Sequence, residues 1–357
     1  MVSGPLLAQF GNQAPYILSL PFAASILVPT FANFLEETKL SSEDVRKCRR
    51  NVFKHPVMFL LCVMMFLGTS LMTVVGVMFE SVALNALVAS IVAVVMLAAF
   101  SVSLSPLIAK VNAFFVLQTA LGLSTSGATF YFFTDMQEQY PEGPHFSQEF
   151  YISVLGIVSA VFSLVGISSY NRYMQTWSYR KLLLLTNVMG FILSWLDVLV
   201  FTRGNLQLGV PDRLFVIGSS VSETIVFQWR WMPGILFLSQ LCPKGMEATM
   251  YALLAGCHNL GSAVASSCGA LVLQWLQVQP SGEANETHQF DNLWKASALS
   301  SLLSFATCIL LPFFIPDVSQ TDTLLTGDVA LDPSHNSLWR RWVRSDQNRF
   351  LPHYNVN

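Results

Sequence analysis

Apolar stretches of about twenty residues, separated by short polar clusters, run through most of this chain. Twenty residues of α-helix rise about 30 Å, the thickness of the hydrocarbon core of a bilayer. The pattern predicts nine helices, over residues 14–34, 57–79, 82–104, 110–133, 150–169, 181–201, 213–240, 246–276 and 293–315. The stretch from Val57 to Phe79 holds no charge at all, whereas 213–240 carries two charged side chains inside it. The fold class is therefore all-α, a polytopic transmembrane helical bundle.

Composition narrows the function classes. Of 357 residues, 53% are hydrophobic and 11% charged, less than half of the roughly 25% charged in a soluble domain. That excludes a soluble enzyme, a disordered chain and a nucleic-acid binder, and makes the lipid bilayer the expected partner. Cys48, Cys62, Cys242, Cys257, Cys268 and Cys308 show neither a CxxC pair nor metal-ligand spacing, so they read as small hydrophobes. No metal site, cofactor or disulfide framework is expected. Met1 is followed by no basic segment and the first apolar run by no cleavage site, so no signal peptide is predicted and insertion falls to the first helix.

Orientation follows from Lys and Arg, which collect on the cytosolic side. Loop 35–56 holds Lys39, Arg46, Lys47, Arg49, Arg50 and Lys54. With that loop inside, every other basic residue also falls inside except Arg203, Arg213 and Lys295, outside, and Arg230, within a helix. The amino end is then outside and the carboxyl end inside. The sequon Asn285-Glu286-Thr287 lies in a loop placed outside, which makes Asn285 a glycosylation candidate. The polar tail 317–357 reads as disordered and cytosolic. An outside amino end and an odd helix count suggest that leading helices are missing; a natural nine-helix protein is the other reading.

No GxSxG, HExxH, P-loop or paired-carboxylate pattern is present, so no enzyme is expected. Ionisable residues inside helices are the functional candidates. Glu223 and Arg230 are seven residues apart, on one helix face at a separation of about 10 Å. Beside them stand Trp229, Trp231 and the helix-bending Pro233. A carboxylate, a guanidinium and indole faces suit a planar, polar, partly anionic heterocycle; a structural Glu–Arg network between helices is the alternative. Asp197 reads either as a cavity group or as an interfacial acid, and His258 either as a proton relay or as a hydrogen-bonded interhelical side chain. Glu247, in a first turn, matches the helix dipole. Gly261, Ala265 and Gly269 form a small-residue stripe for close helix approach, and Lys110, Asn112, Gln118 and Ser124–Ser126 a polar face. The aromatic run 130–133 reads as an interfacial belt.

Ordered motifs across residues 106–325 carry a resemblance. They are Gly127-Ala128-Thr129-Phe130-Tyr131-Phe132-Phe133-Thr134-Asp135, Gly143-Pro144-His145-Phe146, Leu208-Gly209-Val210-Pro211-Asp212, Leu241-Cys242-Pro243-Lys244-Gly245-Met246-Glu247-Ala248-Thr249, continuing through Ala252–Gly256 to Asn259-Leu260-Gly261, and Phe290-Asp291-Asn292-Leu293-Trp294. The chain resembles the folate–biopterin transporter family of the major facilitator superfamily, particularly its protozoan members. The resemblance implies that 105–316 is the carboxyl-terminal six-helix half of a facilitator and that 1–34 ends in the last helix of the amino-terminal half. A cytosolic basic loop at 35–56, an extra helical hairpin at 57–104 and the tail at 317–357 complete the expected organisation.

The expected function is secondary transport of a pteridine, folate or biopterin, coupled to protons, at the plasma membrane. The expected substrate-binding residues are Glu223, Arg230, Trp229, Trp231, Asp197 and His258. The alternative is a transport-incompetent fragment that acts by associating with a full-length transporter.

Overall fold

The computed structural model describes residues 13–32, 34, 41–46, 56–243, 245–325 and 332–342. Its secondary structure is helical, and six helices among the described residues are long and apolar enough to cross a membrane. The protein is an integral, multi-pass membrane protein. Most of the basic loop, Cys48, Lys244 and the outer parts of both termini lie outside the described residues.

The first predicted span is two pieces, α1 (Ala14–Ser25) and α2 (Leu27–Phe31). A proline sits inside α1, at Pro21, and another inside α2, at Pro29, where each removes a ladder donor. α3 (Pro56–Met78) and α4 (Val82–Ser103) form the hairpin, and the Ser81 hydroxyl caps α4 by accepting from the Leu84 amide at 3.3 Å. Their outer faces show Phe59, Phe66, Val77 and Val94, as lipid contact requires. Their inner faces pack on α5 (Pro106–Leu121) and α10 (Glu247–Trp275).

The predicted fourth helix is not continuous. It breaks at 122–125 between α5 and α6 (Ser126–Thr134). A break at membrane depth frees backbone groups that need partners. Here the Ser124 amide donates to the Ala265 carbonyl at 3.0 Å, and the Ser300 hydroxyl donates to the Leu123 carbonyl at 2.8 Å. The glycine stripe makes this possible: a Cβ on Gly269 would stand 2.2 Å from the Ser124 oxygen, and one on Gly261 3.0 Å from the Val116 oxygen.

α7 (Leu155–Tyr173) follows a π-helical turn, Glu149–Val154. α8 (Tyr179–Phe201), α9 (Asp212–Gln240) and α11 (Leu293–Ala306) complete the bundle. α9 packs on α7 and α8, and α8 on α11. One apolar core joins α3, α4, α5, α9 and α10 around Phe100, Phe114, Phe237 and Leu254.

The connections sort into two ends, as alternating spans require. At one end Phe132, Phe201 and Phe290 meet edge to face, with ring centres 5.1 and 5.7 Å from Phe132. Phe132 and Phe133 are buried, so they are the core of this end rather than a lipid-facing belt; loops 135–148 and 276–292 close over them. The Asn285 and Glu286 amides donate to the carbonyls of Glu138 and Gln139 at 3.1 and 2.7 Å. Asn285 itself is exposed and takes a positive φ of 62°. Burial pushes the Asp135 carboxyl up to about 6, assisted by nearby Glu286 and opposed by His145. Burial also works to raise the Glu286 carboxyl, but hydrogen bonds from Ser281 and Gly282 outweigh it and hold the group below its ordinary value.

At the other end, the described part of the tail is tied down, contrary to a disordered reading. Gln320 is buried; its side-chain oxygen accepts from the Tyr170 hydroxyl at 2.5 Å and its amide donates to the Met174 carbonyl at 2.8 Å. Gln240 donates to the Gln320 carbonyl at 2.9 Å, and the Ser105 amide donates to that of Pro333 at 2.7 Å. Sparse apolar residues here give way to side chains that satisfy exposed helix ends.

Candidate binding cavity

The two longest helices, α9 and α10, are absent from the six most apolar spans because Ser, Gln, Asn, His, Glu and Arg interrupt them. Those residues converge on a cavity of two lobes that meet at Arg230, Gly122, Phe227 and Ser304. Gly122, in the α5–α6 break, reaches both lobes, so the interrupted helix and the cavity are one feature.

The smaller lobe, about 320 Å³, is lined by Asp197 from α8, Glu223 and Arg230 from α9, and Ser300, Ser301 and Ser304 from α11. Phe191 and Phe305 stack across it with centres 4.5 Å apart. One Glu223 carboxylate oxygen is buried with no hydrogen-bond partner. No hydrogen bond or ion pair engages the Arg230 guanidinium among the described residues. Two carboxylates thus share the cavity with one guanidinium. Tyr151, from the π-helical turn, lies near enough to feel both acids.

The larger lobe, about 460 Å³, is lined by Asn112 and Thr119 from α5, Trp231 from α9, and Tyr251, His258 and Asn259 from α10, among others. His258 pairs through Nδ1 with the Thr119 hydroxyl at 3.1 Å, and its ring lies 5.9 Å from that of Trp231. Phe227 stacks on Trp231 at 5.9 Å. In the wall between the lobes, the Gln118 amide donates to the Asn187 oxygen at 2.7 Å, joining α5 to α8.

The structure therefore gathers Asp197, Glu223 and Arg230 in one lobe and places Trp231 and His258 in the next. Trp229 is elsewhere. Its indole N–H donates to the Ser169 hydroxyl at 2.8 Å, and its ring packs with Tyr170, Met174 and Leu182 against α7. Residues two apart on a helix point about 160° apart, so only one of the two tryptophans can face the cavity. Glu223 and Arg230 do not pair with each other, as their seven-residue spacing requires. Sequence reasoning missed Asn187 and the serines of α11. Ser297, Ser300, Ser301 and Ser304 stand at helical spacing in an apolar segment, a polar stripe that could have marked a cavity wall.

A family model described as BT1 family matches residues 1–328. The chain belongs to the BT1 family. "Probable folate-biopterin transporter 6" of Arabidopsis thaliana is 30% identical over 220 residues, 62% of this chain and 41% of that protein. "Folate-biopterin transporter" of Synechocystis is 30% identical over 190 residues, 53% of this chain and 35% of that protein. "Folate transporter 2" of Plasmodium falciparum is 22% identical over 143 residues, 40% of this chain and 30% of that protein. The chain thus spans about two fifths of the length of these curated plant relatives. Plant, cyanobacterial and Plasmodium relatives all match, so the likeness does not single out a protozoan type. No solved structure matches the chain.

Proposed function

We propose that this chain is the pteridine-binding part of a proton-coupled secondary transporter for folate or biopterin. The observation that carries the reading is the single cavity in which Asp197, Glu223 and Arg230 meet beside a broken helix. Ionisable side chains at membrane depth face transport pathways and proton relays. Broken helices line the midplane sites of secondary transporters. The amino–imino edge of a pterin matches a carboxylate through two parallel hydrogen bonds, which gives Glu223 its role. Arg230, between the lobes, holds an anionic end. The carboxylate left without a counterion carries the coupling proton. Trp231 flanks the ligand, with His258 beside it, while Trp229 supports α9 from behind. The plasma membrane is the proposed location.

Uptake of labelled folate and biopterin by cells expressing the chain tests this. Arg230→Ala lowers folate uptake more than biopterin uptake, because biopterin has no carboxylate to lose. Equal losses with less protein in the membrane would instead make Arg230 a structural charge.

One observation favours a second reading. Along α10, Tyr251, Asn259 and Ser262, which line the larger lobe, are exposed together with Ala252 and Ser266, so the lobe opens onto a largely small and polar face unlike the Phe and Val surface of α3 and α4. Lipid is a poor partner for it, and another transporter chain a good one. On this reading the chain acts through association with a full-length relative. Uptake appearing only on co-expression with one, together with its co-purification, would decide for it.

A further inference from the structure

The two lobes differ in what they lack. Apart from the Arg230 guanidinium, which both lobes share, the buried unpartnered polar atom in the smaller lobe is an acceptor, a carboxylate oxygen of Glu223. In the larger it is a donor, the side-chain nitrogen of Asn112. Asn112 is only 2% exposed and lines the cavity from α5. The other polar side chains that this helix sends into the larger lobe are engaged: Gln118 with Asn187, and Thr119 with His258 and the Phe115 carbonyl. Its polar neighbour across the helix interface is the Cys257 thiol, a sulfur that is at best a weak acceptor and leaves the donor capacity of the amide unfilled. A buried donor left without an acceptor is destabilising, and such a group in a native structure calls for a missing partner.

We infer that Asn112 is a specificity-determining residue, donating from its side-chain amide to an acceptor on the tail of a folate-type ligand. The inference rests on the pteridine reading above and deepens it. A ligand that satisfies both lobes is polarised, with donors at the end that enters the smaller lobe and acceptors at the end that enters the larger. A folate has this polarity: an aminopyrimidine edge at one end, a benzoyl amide carbonyl and carboxylates at the other. Arg230 stands between, and Asn112 meets the acceptor end beyond it. Biopterin has the same heterocycle but only a short dihydroxypropyl chain, which ends before the larger lobe is filled. Asn112 therefore distinguishes the two ligands, whereas Glu223 serves both.

Equilibrium binding of folic acid and of biopterin to the purified full chain in lipid nanodiscs tests the assignment. Asn112→Leu removes the donor while keeping the number of heavy atoms and the branch at Cγ. It weakens folic acid about tenfold, or about 1.4 kcal/mol, and leaves biopterin within about twofold. Asn112→Asp, which sets a carboxylate against the tail's own, weakens folic acid further and again spares biopterin. Retained biopterin binding shows that the variants fold. Equal loss of both ligands in both variants, or no loss of either, overturns the assignment and leaves Asn112 a packing residue. Binding of neither ligand by the unaltered chain overturns the pteridine reading itself, and this inference with it.

Discussion

Replacing Gly269 by alanine places a methyl carbon 2.2 Å from the carbonyl oxygen of Ser124, 2.8 Å from its amide nitrogen and 2.9 Å from its carbonyl carbon. Every one of these atoms is backbone, so no side chain can rotate away. The α5–α6 break has to shift by about 1 Å, and inserting a methyl into a packed contact costs about 1–3 kcal/mol. Alanine in place of glycine inside a helix regains about 0.5–1 kcal/mol, so the net effect is destabilising by about 1–2 kcal/mol. Gly218, on α9, has no atom within 4 Å of its would-be Cβ, and Gly218→Ala stabilises by the propensity gain alone. Gly261→Ala, with its closest contacts at 3.0 and 3.1 Å, falls between. Thermal unfolding in detergent, followed by labelling of the buried Cys257 thiol with a fluorogenic maleimide, ranks the three. Because Gly122 in the same break lines both lobes, Gly269→Ala also weakens the proposed pteridine binding, and Gly218→Ala does not. A Gly269→Ala protein that melts at or above the unaltered chain would refute the close seating of the break on α10, and with it the coupling of that contact to the cavity.

The charge distribution predicts that a tag after Asn357 is reached by antibody only in permeabilised cells; labelling of intact cells would invert the topology. At the opposite end, the raised Asp135 carboxyl stabilises its loop most when protonated. Amide-exchange protection of residues 135–146 therefore falls as pH rises from about 4 to about 6 and is flat above. Asp135→Asn flattens that profile, and an unchanged profile would mean that Asp135 is not the titrating group. Gln320→Ala leaves the buried Tyr170 hydroxyl without its partner and the Met174 carbonyl with the Trp177 amide alone, which costs about 1–3 kcal/mol. The expected result is a lower melting temperature and faster proteolysis of the tail; no change in either would detach the tail from the bundle.

The helical class and the approximate ends of the most apolar spans were legible in the sequence because bilayer thickness imposes one length scale and hydrophobicity reports it directly. Val57–Phe79 was visible for that reason, and the observed helix, Pro56–Met78, differs from it by a single residue at each end. The small-residue stripe of α10 was legible too, since only glycine, alanine and serine allow a backbone so close. Intramembrane charge singled out Asp197, Glu223 and Arg230, because burying such groups is expensive wherever they point. Direction is what the sequence could not supply. Trp229 and Trp231 are chemically alike and two residues apart, and only the packing of α7 against α9 assigns the first to Ser169 and the second to the cavity. The break at 122–125 was hidden because Gly122, Ser124 and Thr125 are small, uncharged residues between two apolar runs, and such residues also occur inside continuous spans. It exists because Ala265 and Ser300, more than 140 residues away along the chain, supply the hydrogen bonds that a continuous helix would have made for itself. The donor left over at Asn112 has the same origin: whether a polar group is satisfied depends on neighbours that the fold, and not the local sequence, brings to it.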